Sequence, residues 1–176
     1  IDANENNFIV FHLKGNHFNF INRYPQEFAK FSKPNTYDLI PNYIDSIAYT
    51  DYVLQQIQEY AAKHLNLQAM VYFSDHATIP DKRRSPNFGG FANVRIPLFI
   101  YFADEYISTH SQVYSALKAN SEKYWTNDLA YELICGILDI KSNHYDEANS
   151  LASTQYKYSL SMLKTNLGEL WIKDDK

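Results

Sequence analysis

Hydrophobic and polar positions divide the chain into a short series of elements. Asn7-Phe8-Ile9-Val10-Phe11-His12-Leu13 is an apolar run without helical spacing, which predicts a buried strand with His12 near its carboxyl end. Lys14-Gly15-Asn16-His17 reads as a turn, and an aromatic-rich irregular stretch punctuated by Pro25, Pro34 and Pro41 follows. From Asn42 to Leu65 the apolar positions Ile44, Ile47, Ala48, Leu54, Ile57, Ala61 and Leu65 recur at helical spacing. They predict an amphipathic helix bounded by Pro41 and Asn66.

Ala69–Phe73 predicts a second buried strand, ending in Ser74-Asp75-His76. The stretch from Ala77 to Arg95 holds prolines, glycines and the cluster Lys82-Arg83-Arg84, and reads as an exposed loop with its charges solvated. Ile96–Phe102 predicts a third strand, with Pro97 tolerable near its start. Helices are expected over Ser111–Ala119 and Asn127–Ile140, the latter with Thr126 or Asn127 as N-cap. The tail from Asn143 is polar, with a weak strand or helix around Tyr156–Leu163. This order predicts an α/β protein whose mostly parallel sheet is flanked by helices. In such sheets chemistry collects at the carboxyl ends of strands, where both His12 and Asp75-His76 fall.

Composition narrows the function classes. The 176 residues carry 16 Lys+Arg against 20 Asp+Glu, a net charge of −4, which argues against a nucleic-acid partner. No apolar run approaches the ~20 residues that a membrane span needs. At 45% hydrophobic residues, the chain has enough apolar material for a folded core. Cys135 is the single cysteine and lies among Leu133, Ile134, Ile137 and Leu138, so we expect it to pack in the core. The chain opens at Ile1, without methionine or a signal-peptide pattern, so we expect a processed product or a piece of a longer protein.

Among candidate chemical residues, Asp75 and His76 join a carboxylate to an imidazole on one short turn, a pairing suited to zinc or another divalent ion. The structural alternative is a carboxylate capping the next turn beside an ordinary histidine. His12 and His17 flank a glycine turn that can bring both rings to one pocket, as donors to a phosphate or as ligands to a second ion. His64, His110 and His144 stand in ordinary surface contexts.

Several segments together resemble the catalytic domain of the phosphoethanolamine transferases, within the sulfatase and alkaline phosphatase superfamily. They are Phe11-His12-Leu13-Lys14-Gly15-Asn16-His17, Arg23-Tyr24-Pro25, Asp45–Leu54 with Tyr49-Thr50-Asp51, Tyr72–His76, and Ile96-Pro97-Leu98-Phe99-Ile100-Tyr101. The resemblance implies an alkaline phosphatase-like α/β fold, of which residues 1–176 would be the C-terminal part. It also implies transfer of phosphoethanolamine from a phospholipid donor to an envelope glycan or lipid A, on the periplasmic side of the inner membrane. Asp75 and His76 would be zinc ligands, and His12 and His17 would bind the phosphoryl or headgroup side of the substrate. The nucleophilic threonine, an acidic zinc ligand and the membrane anchor would lie upstream of Ile1, since Thr50 and Thr78 are not at the attacking position. This part of the protein alone would then be inactive.

The chain also departs from the family pattern. Ala77-Thr78 stands where the family reads glycine-glutamate, and no histidine falls between Ala77 and Thr109. These departures motivate one alternative, a degenerate, non-catalytic binding domain; a second, a sulfatase or phosphodiesterase hydrolase on the same scaffold, differs only in the acceptor.

Overall fold

A computed structural model describes residues 1–2, 4–81, 90–165 and 168–175. The basic cluster Lys82-Arg83-Arg84 lies outside them. The chain forms two compact units, the first built on Ile1–Met70 and the second on Val71–Thr78 with the C-terminal part of the chain.

The first unit is organised by one long helix, α1 (Leu39–His64). Its opening hydrogen bond runs from the Asn42 N–H to the Asp38 carbonyl at 3.0 Å. Pro41, expected just ahead of the helix, sits inside its first turn, where a missing N–H forfeits no helical bond. Asn66, in the left-handed conformation at φ 49°, ends the helix, with Lys63 and His64 complementing the negative end of its dipole.

The buried face of α1 is not the apolar stripe. Asn42, Asp45, Ser46, Thr50 and Leu54 are its buried residues, whereas Ile44 is 38% exposed. The reason lies in what covers the helix. The irregular segment before it offers backbone N–H and C=O groups, and buried backbone groups need polar partners. Aromatic side chains complete the cover: Phe20, almost wholly buried, packs 5.0 Å from Tyr43, and Phe28 lies 4.8 Å from both Tyr49 and Tyr52.

Residues 7–13 depart from expectation. They form no regular element, and Phe8, Val10 and Phe11 are exposed, Val10 by 74%. An apolar run becomes a buried strand only when neighbours supply hydrogen bonds and cover both faces. Among the described residues no strand pairs with this one. The Lys14–His17 turn does form, closed by the His17 N–H on the Lys14 carbonyl at 3.2 Å, with Gly15 at φ 45°.

In the second unit, β1 (Ala69–Phe73) pairs with β2 (Leu98–Phe102) in a two-stranded sheet. Along β2 burial alternates, leaving Phe99 and Tyr101 exposed, so the strand is half-buried rather than covered on both faces. Two short helices follow, α2 (Asp104–Thr109) and α3 (Ser111–Ala119). A 3-10 turn over Asn127–Leu129 leads into α4 (Ala130–Ile137), so the helix expected over Asn127–Ile140 is shorter at both ends. The expected element at Tyr156–Leu163 does not form. Instead β3 (Lys164–Thr165) and β4 (Leu170–Trp171) pair antiparallel, Lys164 opposite Trp171. The described sheets are thus small, and one is antiparallel, where a mostly parallel sheet was expected.

α4 carries the core of this unit, with Leu133, Cys135 and Ile137 buried. Gly136 is required there, because a Cβ would stand 2.6 Å from Ser150 Oγ and 2.8 Å from Ala152 Cβ. Asn120 ties in the following segment, its Nδ2 donating to the Leu151 and Ser153 carbonyls at 2.9 Å each. Tyr106 stacks between Phe102 and His110, with ring centroids 4.6 and 4.4 Å away, and donates to the Ile137 carbonyl at 2.6 Å. No helix among the described residues is long and apolar enough to cross a membrane.

Candidate functional site

The carboxyl end of β1 delivers Asp75 and His76 in a turn held by several hydrogen bonds. Ser74 Oγ donates to the His76 carbonyl at 2.7 Å, and the His76 N–H donates to Asp75 Oδ1 at 3.0 Å. The Ala77 N–H donates to the Asn93 carbonyl at 3.1 Å. Ala77 has an ordinary negative φ, so this turn does not depend on glycine and the extra Cβ is accommodated.

The ring of His76 is oriented for ligation. Its Nδ1 lies 2.7 Å from the Ala77 carbonyl, and a carbonyl only accepts, so Nδ1 carries the proton. In the neutral ring Nε2 then presents its lone pair, 3.5 Å from Asp75 Oδ2. A metal-bound histidine ordinarily donates its other ring nitrogen to a backbone carbonyl or carboxylate in this way. Asp75 is 82% exposed at its side chain and His76 31%, so the pair is open to a ligand.

Asn127 reaches this turn from far along the chain. Its Nδ2 donates to the carbonyls of Ser74 and Asp75, at 3.1 Å each. Sequence reasoning placed Asn127 as a helix cap, and no local signal marks its actual partners. They lie more than 50 residues away. Thr126, Asp128 and Leu129 line a cavity of about 380 Å³ together with Lys164 and Trp171.

In the first unit, both His12 and His17 are exposed. His17 Nδ1 donates to the Phe18 carbonyl at 2.6 Å, the same tautomer as His76. The segments that carry the family resemblance bind one another here. Arg23 Nε donates to the His17 carbonyl at 2.9 Å, and Thr50 Oγ1 lies 2.7 Å from Asn16 Oδ1. The Tyr24 hydroxyl donates to Asn42 Oδ1 at 2.8 Å. Thr50 is buried and also lies 3.0 Å from the Ser46 carbonyl, a structural setting for its hydroxyl.

Asp45 anchors the segment after the histidine turn and was not singled out by its type or position. It is fully buried and accepts from the Lys30, Phe31 and Ser32 N–H groups and from the Ser32 hydroxyl, over 2.6–3.1 Å. Burial pushes its pKa up. The Ser32 hydroxyl and the three backbone N–H groups outweigh that and hold it below the ordinary carboxylate value.

Zinc takes nitrogen, sulfur and oxygen donors, usually four in tetrahedral array. Asp75 and His76 fit it as two adjacent donors with the histidine in the ligating tautomer. Among the described residues no group of three or more His, Cys, Asp or Glu side chains converges on one point.

Residues 1–134 match the sulfatase family profile. The chain is 26% identical over 131 residues to the Kdo(2)-lipid A phosphoethanolamine 7''-transferase of Salmonella typhimurium, covering 65% of this chain and 23% of that protein. It is 19% identical over 175 residues to phosphoethanolamine transferase EptA of Escherichia coli K12, covering 83% of this chain and 30% of that protein. It thus spans about a quarter to a third of the length of these curated relatives. Among solved structures, the C-terminal periplasmic domain of phosphoethanolamine transferase EptC from Campylobacter jejuni superposes with a TM-score of 0.64 at 22% identity. That match covers 88% of this chain and 52% of the solved one. At that identity it speaks for the fold, which is the alkaline phosphatase-like fold of such a domain. The chain belongs to the sulfatase family.

Proposed function

We propose that the chain is the C-terminal part of the catalytic domain of a zinc-dependent transferase, one that moves phosphoethanolamine from a phospholipid to lipid A or another envelope glycan. It would work on the periplasmic side of the inner membrane, with the nucleophile and the membrane anchor supplied elsewhere in the protein. The similarity to transferases named for phosphoethanolamine and lipid A supports the substrate class. The fold shared with a periplasmic domain supports the location.

The observation that carries the reading is the Asp75–His76 turn, with Nδ1 of His76 donating to the Ala77 carbonyl and Nε2 turned toward the Asp75 carboxylate. Asp75 and His76 would hold zinc together with donors this pair does not supply. Zinc bound there would lower the pKa of a nearby hydroxyl and neutralise charge on phosphoryl oxygens. His12 would bind the phosphate of the headgroup through a ring N–H, and His17 through Nε2–H with its ring doubly protonated, its Nδ1–H being held by the Phe18 carbonyl. Asp45 and Thr50 hold the segments around that turn and take no part in the chemistry.

The test is made in the whole protein. Asp75→Asn and His76→Ala are compared with wild type for phosphoethanolamine on lipid A by mass spectrometry, and for zinc by elemental analysis. Loss of both zinc and modification in folded variants is the expected result. Full modification by His76→Ala, or a wild type that modifies no envelope glycan, would overturn the reading.

A further inference from the structure

We infer that Asn127 is a positioning residue: its amide, donating to the carbonyls of both Ser74 and Asp75, sets the turn that aims Asp75 and His76. The inference rests on the metal role proposed for that pair. Every other hydrogen bond described above for the turn comes either from the turn itself or from the Asn93 carbonyl. Among the described residues, Asn127 brings a side chain to it from the 3-10 turn that leads into α4, gripping two successive carbonyls at once. Two bonds to consecutive peptide units fix the direction in which the chain leaves β1. That direction decides where the Asp75 carboxylate and the His76 ring point.

The amide orientation is unambiguous. Reversing it would set Oδ1 against two carbonyl oxygens at 3.1 Å, with no proton between them. The orientation leaves Oδ1 buried without a hydrogen-bond partner among the described residues, a state that is itself unfavourable. A residue kept only for stability gains little from such an arrangement. One that must hold a ligand-bearing turn needs the two donors regardless. The alternation along 126–128 fits the same picture, since Thr126 and Asp128 line the cavity while Asn127 turns to β1.

Asn120 supplies an internal control. It too is an asparagine of this unit whose Nδ2 bridges two carbonyls, but it is itself buried and these carbonyls belong to Leu151 and Ser153. In the whole protein, Asn127→Ala and Asn120→Ala are compared by zinc affinity, from competition with a chromophoric chelator, and by melting temperature. Turnover is measured alongside. Asn127→Ala is expected to weaken zinc binding about ten- to a hundredfold and to lower kcat with KM for the phospholipid donor unchanged. Asn120→Ala is expected to lower the melting temperature and leave zinc affinity as in wild type. Asn127→Ser, which keeps one donor, should fall between wild type and the alanine variant, and it carries the test if Asn127→Ala does not fold.

Zinc affinity of the Asn127 variants within about twofold of wild type would overturn the inference, against the loss that outer-shell partners normally cause. So would an equal loss in Asn120→Ala. Unchanged zinc binding in His76→Ala would instead overturn the proposed function, and this inference with it.

Discussion

Asp45 shows how one residue can secure a segment of irregular backbone. Its two oxygens, themselves buried, collect three successive N–H groups and one hydroxyl, without which the carboxylate would stand unpaired. Replacing it with alanine is expected to cost about 2–4 kcal/mol in denaturant unfolding, in line with loss of hydrogen bonds to a buried charge. Its pKa is depressed in the folded state, so its contribution is complete above the unfolded-state value of about 3.9 and is lost as pH falls through the folded value. Asp45→Asn should therefore flatten the acid limb of the stability profile while leaving the neutral-to-alkaline region parallel to wild type.

Tyr106 is the opposite case. Burial, aided by the Asp139 carboxylate, pushes its phenol up to about 12, so it remains a donor to the Ile137 carbonyl throughout the physiological range. That contribution is present below the ordinary tyrosine value near 10 and is lost as pH rises through the folded one. Tyr106→Phe should cost about 1 kcal/mol at neutral pH, the usual net worth of one hydrogen bond, and remove one late-titrating phenol from an ultraviolet alkaline titration.

Among elements, α4 is held by a close approach rather than by a wide apolar face. The Gly136 site leaves no space for a methyl group against Ser150 and Ala152. Gly136→Ala should be destabilising by about 1–3 kcal/mol, because overpacking outweighs the propensity gain of alanine in a helix. Gly15 offers a useful contrast. Nothing lies within 4 Å of a Cβ built there, yet its φ of 45° makes any side chain strained. Gly15→Ala should therefore act on the histidine turn through the backbone alone. Urea unfolding and hydrogen exchange at residues 14–17 would check both substitutions.

Taken whole, the chain places its candidate chemistry in two units: the histidines of one turn in the first and the Asp75–His76 turn in the second. Under the function proposed above, this division predicts separable phenotypes. In the whole protein, replacing His12 and His17 together by alanine should raise KM for the phospholipid donor about tenfold or more, the worth of a charge-assisted hydrogen bond, without loss of zinc. His76→Ala should release zinc and abolish turnover. Steady-state kinetics with parallel zinc analysis would separate the two.

How much of this was legible depended on whether the signal was local. The Lys14–His17 turn, most of α1 and the whole of α3 follow from turn chemistry and periodicity, because the bonds that make them span a few residues, and strand β1 is marked by its apolar run although its bonds go to the distant β2. So does the adjacency of Asp75 and His76, and the burial of Cys135 among apolar neighbours. The fate of residues 7–13 was not local, since an apolar run states only that cover is preferred and not whether a neighbouring strand provides it. The buried face of α1 was misread for the same reason. A helix met by backbone buries polar side chains, and nothing in its own periodicity says what will meet it. Asp45 and Asn127 acquire their roles only from chain segments 13 or more residues away. The sequence by itself determined the family and the adjacency of the Asp75 carboxylate and the His76 imidazole, because motifs and side-chain types are written in adjacent positions. Only the tertiary structure decided the tautomer of His76, the polar face of α1 and the grip of Asn127, because each depends on which distant backbone group arrives to complete a hydrogen bond.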